Sequence, residues 1–204
     1  SGSSLASYLA KQDFEILGFA RSVAKSSVVT AHLNLDPNTA SRIKIIRANI
    51  LNDYELIAEA IIRRKIQHII NFAAQSMVSE SWKSPEDWYD TNISAFSKLI
   101  TKLSNEKAST VTKFVQFTTP EVYGNTVGRI KENWDFNPTT PYAISRAAAD
   151  YHLKASLNQW GFPVIFTRAA NVYGPYQKLY RLIPKVIVKG IRNEKFELHG
   201  GGSS

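Results

Sequence analysis

Tyr142 and Arg146 stand four residues apart in the run Pro141-Tyr142-Ala143-Ile144-Ser145-Arg146, a spacing that puts phenol and guanidinium on one face of a helix. A cation beside a tyrosine favours the phenolate. The phenol pKa must fall by about 3 units from its usual value, on the order of 4 kcal/mol, before it serves as a base at neutral pH. Upstream lies Phe117-Thr118-Thr119-Pro120-Glu121-Val122-Tyr123-Gly124, which follows a buried-strand pattern. Thr119 and Glu121 then sit on the loop at the carboxyl end of that strand, the rim where open α/β sheets bind ligands. Alone, a Tyr–Arg pair on a helix is more often packing plus a surface charge. Behind a strand–Thr loop it reads as a site. Glu121 reads either as an acid–base group or as an exposed loop carboxylate.

Elements of two periodicities must position these residues. Short runs, apolar nearly throughout, predict strands at Glu15–Ala20, Ile43–Ala48, His68–Ala73, Lys113–Thr118 and Val164–Arg168, as expected of strands buried on both faces. Helical spacing predicts helices over Ser4–Lys11, Tyr54–Arg64, Pro85–Ser104, Tyr142–Trp160 and Leu179–Arg192. In Pro85–Ser104 the apolar positions are Trp88, Ile93, Phe96, Ile100 and Leu103. This alternation predicts an α/β fold, a Rossmann-like doubly wound parallel sheet with helices on both faces. A first helix opening at Gly2, with Ser3 and Ser4 as capping candidates, lacks the strand and glycine-rich turn that normally precede it. Phe196–His199 reads as a strand followed by a Gly/Ser run. The sequence therefore reads as a fragment, truncated at both ends.

Composition narrows the classes. The 204 residues are 44% hydrophobic and 21% charged, ordinary for a folded domain. Absence of cysteine excludes disulfides, thiolate metal sites and cysteine nucleophiles. The four histidines, His32, His68, His152 and His199, are scattered, which argues against a metal site. No apolar run approaches the roughly 20 residues of a membrane helix, and Ser1–Ala10 is not a signal peptide. A cytoplasmic protein without membrane association is expected. The surplus of 25 Lys+Arg over 17 Asp+Glu, net +8, suggests an anionic partner. Its densest stretch is Lys178, Arg181, Lys185, Lys189 and Arg192, opposite Leu182, Ile183, Val186 and Ile191. That pattern reads as a solvated helix face rather than a polyanion site. No nucleic-acid motif accompanies it, so no nucleic-acid partner is expected.

Over nearly its whole length the sequence resembles the extended short-chain dehydrogenase/reductase (epimerase/dehydratase) family, most closely its nucleotide-sugar 4,6-dehydratases of the dTDP-glucose or GDP-mannose type. The resemblance rests on the Thr119–Glu121 and Tyr142–Arg146 segments already described. It also rests on Asn71-Phe72-Ala73-Ala74-Gln75-Ser76, Thr91-Asn92, Thr167-Arg168-Ala169-Ala170-Asn171-Val172-Tyr173-Gly174-Pro175, Leu182-Ile183-Pro184-Lys185 and Leu198-His199-Gly200-Gly201-Gly202. It implies a dinucleotide-binding domain over residues 1–175, lacking its first strand, and an incomplete nucleotide-sugar-binding part over 176–204. A chain so truncated is expected to be inactive or nearly so.

The resemblance assigns roles. Tyr142 is the base at the sugar C4 hydroxyl, Thr119 bonds the same oxygen, Glu121 removes the C5 proton, and Arg146 stands where the family has Lys. Gly2 would be the third glycine of the Gly-x-x-Gly-x-x-Gly turn. Asn49 and Ile50 match an adenine-contacting pair, with Asn in place of the usual Asp. Ala73 and Ala74 line the cofactor with Tyr142 and Arg146. Gln75, Ser76, Thr119 and Asn171 face a nucleotide-diphosphate sugar. The cofactor is NAD or NADP. Arg21 and Ser22, at the end of the Glu15–Ala20 strand, the second of the family's domain, suit a 2′-phosphate and favour NADP, although Arg21 is almost as readily a solvated loop residue. A homodimer through the helices carrying Asn92 and Tyr142 is implied, and no metal. The departures are Arg146 for Lys, Pro120 for an Asp, and Met77 for a His. They keep two alternatives open: a 4-epimerase or 4-reductase using the same tyrosine, and an NAD(P)-binding protein without turnover.

Overall fold

In the computed structural model, which describes residues 1–22, 24–106 and 110–197, local signals set most element boundaries. The longest helix, α6 (Pro141–Trp160), starts where the Thr140 side chain accepts from the Ala143 amide, with Pro141 in the first turn. It ends at Gly161, whose left-handed φ of 66° suits a residue without a Cβ. The amide of Phe162 reaches back to the Ser156 carbonyl. Helix α3 (Ile50–Arg63) is capped reciprocally: Asn49 accepts from the Leu51 amide, and the Asn49 amide donates to Asp53 at 2.7 Å.

The chain falls into two units by its contacts. One comprises Ser1–Gly18, Ala24–Lys44 and Asn171–Ser204; the other comprises Phe19–Val23 and Ile45–Ala170. The first holds α1 (Gly2–Ala10), the short α2 (Pro37–Ala40) and α7 (Leu182–Ile191). β1 (Ile16–Ala20) and β2 (Ile43–Arg47) form a two-stranded sheet. The Ile16 amide donates to Arg42 and the Ala48 amide to Ala20, so the strands run the same way.

The second unit positions the site. β3 (His68–Asn71), β4 (Lys113–Thr118) and β5 (Val164–Arg168) form a parallel sheet in that order. α4 (Pro85–Tyr89) and α5 (Phe96–Asn105) lie in the connection from β3 to β4, and α6 lies between β4 and β5. This is the expected Rossmann-like alternation of parallel strands and helices. The core joins Ile57 and Ile61 of α3, Ile100 and Leu103 of α5, Leu153 of α6 and Phe114 of β4. Phe114 meets Phe162 at 5.4 Å between ring centroids.

Several expectations need correction. The strands are not buried on both faces. Along β4, Phe114, Gln116 and Thr118 are buried while Val115 and Phe117 are only half-buried, and Ile70 and Ile165 are exposed. The side turned toward the helices is shielded, and the alternation of a strand leaves the other side less so. The span Pro85–Ser104 is one helical run, but a π turn over Asp90–Ala95 interrupts it. Helix α1 is preceded by Ser1 and has no side-chain cap; Ser3 bonds His32 instead. α7 begins only at Leu182, and its apolar residues Leu182, Ile183, Val186 and Ile191 are exposed. Phe196 and Glu197 are not in a strand, and Leu198-His199-Gly200-Gly201-Gly202 lies outside the described residues. No helix among the described residues is long and apolar enough to cross a membrane.

Candidate active site

The carboxyl end of β4 is tied to α6 by two polar contacts. Arg146, one turn beyond Tyr142, donates from Nη2 to the Phe117 carbonyl at 2.5 Å. Asp150, one turn further, accepts from the Thr118 hydroxyl at 2.9 Å. Arg146 and Asp150 are both buried, at 2% and 0% exposure, so the bonds are made away from water, where an unmade bond is costly. Immediately beyond, Thr119 accepts from the Glu121 amide and opens a 3-10 turn, Pro120–Tyr123. Proline fits that turn because the amide it lacks has no partner there. Thr119 is buried and Glu121 half-buried.

Burial sets the charges. It pushes the Glu121 carboxyl above the usual carboxylate range. It lowers the Arg146 guanidinium, opposed by the neighbouring Tyr142 phenol and Asp150 carboxylate and reinforced by Arg168. Burial also raises Asp150, against the pull of Arg168, Arg146 and the Thr118 hydroxyl. The sequence expectation that Tyr142 and Arg146 share a helix face is met, but the guanidinium is turned inward to a carbonyl. Its Nε is buried with no partner among the described residues.

The end of β3 is fixed in the same way. Asn71 donates to Gln116 at 2.9 Å and accepts from the Ala73 amide. Asn92, on the π turn, is 2% exposed. Its side chain accepts from the Gln75 amide at 2.8 Å, donates to the Gln75 carbonyl at 3.0 Å, and donates to Ser145 Oγ at 2.9 Å. One amide thus joins the rim segment after β3 to the turn of α6 that carries Tyr142 and Arg146. The Tyr142 amide itself donates to Ser81 Oγ.

The second unit therefore brings Thr119, Glu121, Tyr142, Arg146, Ala73, Ala74, Gln75 and Ser76 to the carboxyl ends of adjacent strands or to α6. Arg21 and Ser22 follow β1 and are exposed; Asn49 caps α3; the Ile50 side chain is in the core. Gly2 and Asn171 belong to the other unit. Sequence reasoning missed Asp150, Arg168 and Gln116, and gave Asn92 no bonding role. Asp150 carried a readable signal, an opposite charge four residues after Arg146 on a helix.

Three features of the rim fit a dinucleotide. Small residues, Ala73 and Ala74, occupy the end of β3, the phenol of Tyr142 is half-exposed, and the buried Arg146 beside it retains a nitrogen without a partner.

Comparison with known proteins decides the family. Residues 1–203 match the family model described as GDP-mannose 4,6 dehydratase. The chain belongs to that family. A dTDP-D-glucose 4,6-dehydratase from Dictyostelium discoideum is 31% identical across 100% of this chain and 48% of its own length. The dTDP-glucose 4,6-dehydratase of Streptomyces venezuelae, solved with NAD bound, is 27% identical at a TM-score of 0.79, over 94% of this chain and 59% of that one. The dTDP-glucose 4,6-dehydratase of Bacillus anthracis, solved with NAD, is 30% identical at a TM-score of 0.77, over 98% and 61%. The chain thus spans about half the length of the curated relative and about three fifths of each solved one. Both of these solved relatives hold NAD.

Proposed function

We propose that this chain is the cofactor-side part of a nucleotide-sugar 4,6-dehydratase, with residues 1–175 binding the dinucleotide and 176–204 starting the nucleotide-sugar part. The observation that carries the reading is the half-buried Glu121, its carboxyl raised by desolvation, on a turn tied by Thr118 and Phe117 to the helix of Tyr142. Tyr142 takes the proton of the sugar C4 hydroxyl, and the Thr119 hydroxyl bonds the same oxygen. The buried cation of Arg146 favours the phenolate. A nicotinamide dinucleotide held by Ala73, Ala74, Tyr142 and Arg146 would supply the hydride chemistry between C4 and C6. Glu121 removes the C5 proton, made acidic by the C4 ketone, and returns a proton to the departing C6 hydroxyl, which leaves as water. Solvent then supplies the proton at C5. A carboxyl raised above the ordinary range by burial serves such a step better than an exposed one, which favours elimination over 4-epimerisation or 4-reduction.

We assign Ala73, Ala74, Tyr142, Arg146, Asn49 and the Ile50 backbone to the dinucleotide, and Gln75, Ser76 and Thr119 to the sugar diphosphate; Gly2 and Asn171, in the other unit, keep the cofactor and substrate roles that the family resemblance implies. Arg21 and Ser22 lead us to favour NADP, although the solved relatives hold NAD; titration with both cofactors separates them. A cytoplasmic homodimer is part of the same reading, with exposed Ile144 and Leu157 of α6 available to a second subunit. Sedimentation at increasing concentration tests it.

The decisive experiment incubates the full-length protein with dTDP-glucose, UDP-glucose and GDP-mannose in deuterated water. A 4-keto-6-deoxy product carrying solvent deuterium at C5 is expected. C4 inversion without deuterium at C5 refutes the dehydratase in favour of the epimerase. A second reading, cofactor binding without turnover, draws on the inward-turned Arg146. It predicts that Arg146→Lys alone restores activity to an inert protein.

A further inference from the structure

Arg168 is a cation at the end of the otherwise uncharged strand Val-Ile-Phe-Thr-Arg, and its side chain is only 11% exposed. Burying a guanidinium costs several kcal/mol unless partners surround it. Here they do so in two directions. Nη1 meets Asp150 Oδ2 on α6 at 2.5 Å, while Nε donates to the Tyr123 hydroxyl at 3.2 Å. The guanidinium carbon lies 5.5 Å from the Tyr123 ring centroid and 5.0 Å from that of Phe136, so its flat faces are also engaged.

Its two polar partners belong to the two elements that carry the reacting groups. Asp150 is eight residues beyond Tyr142 on the same helix, and Tyr123 is two residues beyond Glu121 in the same turn. The turn has further anchors. The Tyr123 hydroxyl donates to the Asn133 carbonyl and accepts from the Asn133 amide. The Asn137 amide donates to the Val122 carbonyl at 2.9 Å, and Tyr123 and Phe136 pack edge to face at 5.5 Å. These anchors hold the turn to the segment that follows it. That segment reaches α6 and β5 through Tyr151, which donates to the Trp134 carbonyl and packs on Phe136, and through Phe166 against Trp134; Arg168 ties the turn itself directly to α6 and β5. A lysine would satisfy the charge of Asp150 but cannot reach two partners from a rigid fork.

We propose that Arg168 is a positioning residue that sets the Glu121 turn against the Tyr142 helix, so that proton removal at C5 depends on it more than oxidation at C4 does. The catalytic part of this statement rests on the dehydratase reading; the mechanical part does not.

The test compares full-length wild type with Arg168→Lys, which keeps the charge facing Asp150, and with Tyr123→Phe, which removes the hydroxyl. Amide hydrogen exchange on the substrate-free protein is read at Val122–Gly124 and at Ala143–Arg146. In Arg168→Lys, exchange rises about tenfold in the first segment and stays unchanged in the second. In single turnovers with the accepted nucleotide sugar, C4 oxidation, followed by reduced-nicotinamide absorbance, changes by less than about twofold, while release of the 4-keto-6-deoxy product falls about tenfold. Tyr123→Phe moves both readouts the same way and by less. Equal exchange in both segments, or an unchanged ratio of elimination to oxidation, overturns the proposal. A wild type that eliminates from no nucleotide sugar refutes the dehydratase reading instead, and the exchange comparison then decides Arg168 by itself.

Discussion

Glu121 is a carboxylate that its surroundings disfavour. Its raised pKa means that the folded state holds the proton more tightly than the unfolded chain does. The resulting penalty on folding is absent below the ordinary carboxylate value and fully present once pH exceeds the raised one. Glu121→Gln is therefore expected to melt higher than wild type at pH 7, with the difference closing toward about pH 4; thermal unfolding across that range measures it. The same variant should lose deuterium incorporation at C5. Asp150 behaves in the opposite sense on removal, because it stands between two buried guanidinium groups. Asp150→Ala strips buried Arg168 of its ion-pair partner and Arg146 of a nearby opposite charge, and a loss of about 3–5 kcal/mol in urea unfolding is expected. The Tyr142–Arg146 spacing was legible in the sequence. The direction of the guanidinium was not, because its carbonyl partner, Phe117, is brought to it by the sheet.

Elements show the same division between local and distant causes. The limits of β4 and β5 were readable to the residue, since polar and turn residues bound each run. The π turn inside Pro85–Ser104 was not. Trp88, Phe96, Ile100 and Leu103 keep an acceptable helical spacing across it, and only the bonds of Asn92 to Gln75 and Ser145 give the extra residue a purpose. Asn92→Ala removes three bonds and leaves the Gln75 groups wanting partners. A cost of about 2–3 kcal/mol is expected, with faster amide exchange over residues 73–76. The turn after β4 has its own weak point at Gly124, where φ is 67° and a Cβ would lie 2.0 Å from the Asn137 carbonyl oxygen. Gly124→Ala should displace the Glu121 turn, and loss of the C5 exchange reaction in a protein that still binds dinucleotide would register it.

For the molecule as a whole, the order of strands and helices followed from periodicity because each element carries its own pattern. Burial did not follow, because the accessibility of Ile70, Ile165 and the apolar side of α7 depends on what lies against them rather than on their own residues. The core that does close gathers around Phe114, which is 1% exposed. Phe114→Ala should cost about 3–5 kcal/mol in chemical denaturation, while a variant at exposed Val127 should change stability by less than about 0.5 kcal/mol.

Strand β4 carries a gradient along its shielded side, from the Phe114 ring through the Gln116 amide to the Thr118 hydroxyl. Hydrocarbon anchors its lower end, and a polar scaffold built on Thr118, Arg146, Asp150 and Arg168 supports its upper end. Replacing that upper scaffold with well-packed aliphatic residues could yield a sturdier molecule, but one with nothing left to aim its phenol and its acid. Robustness and, on the dehydratase reading, turnover therefore rest on different ends of a single strand.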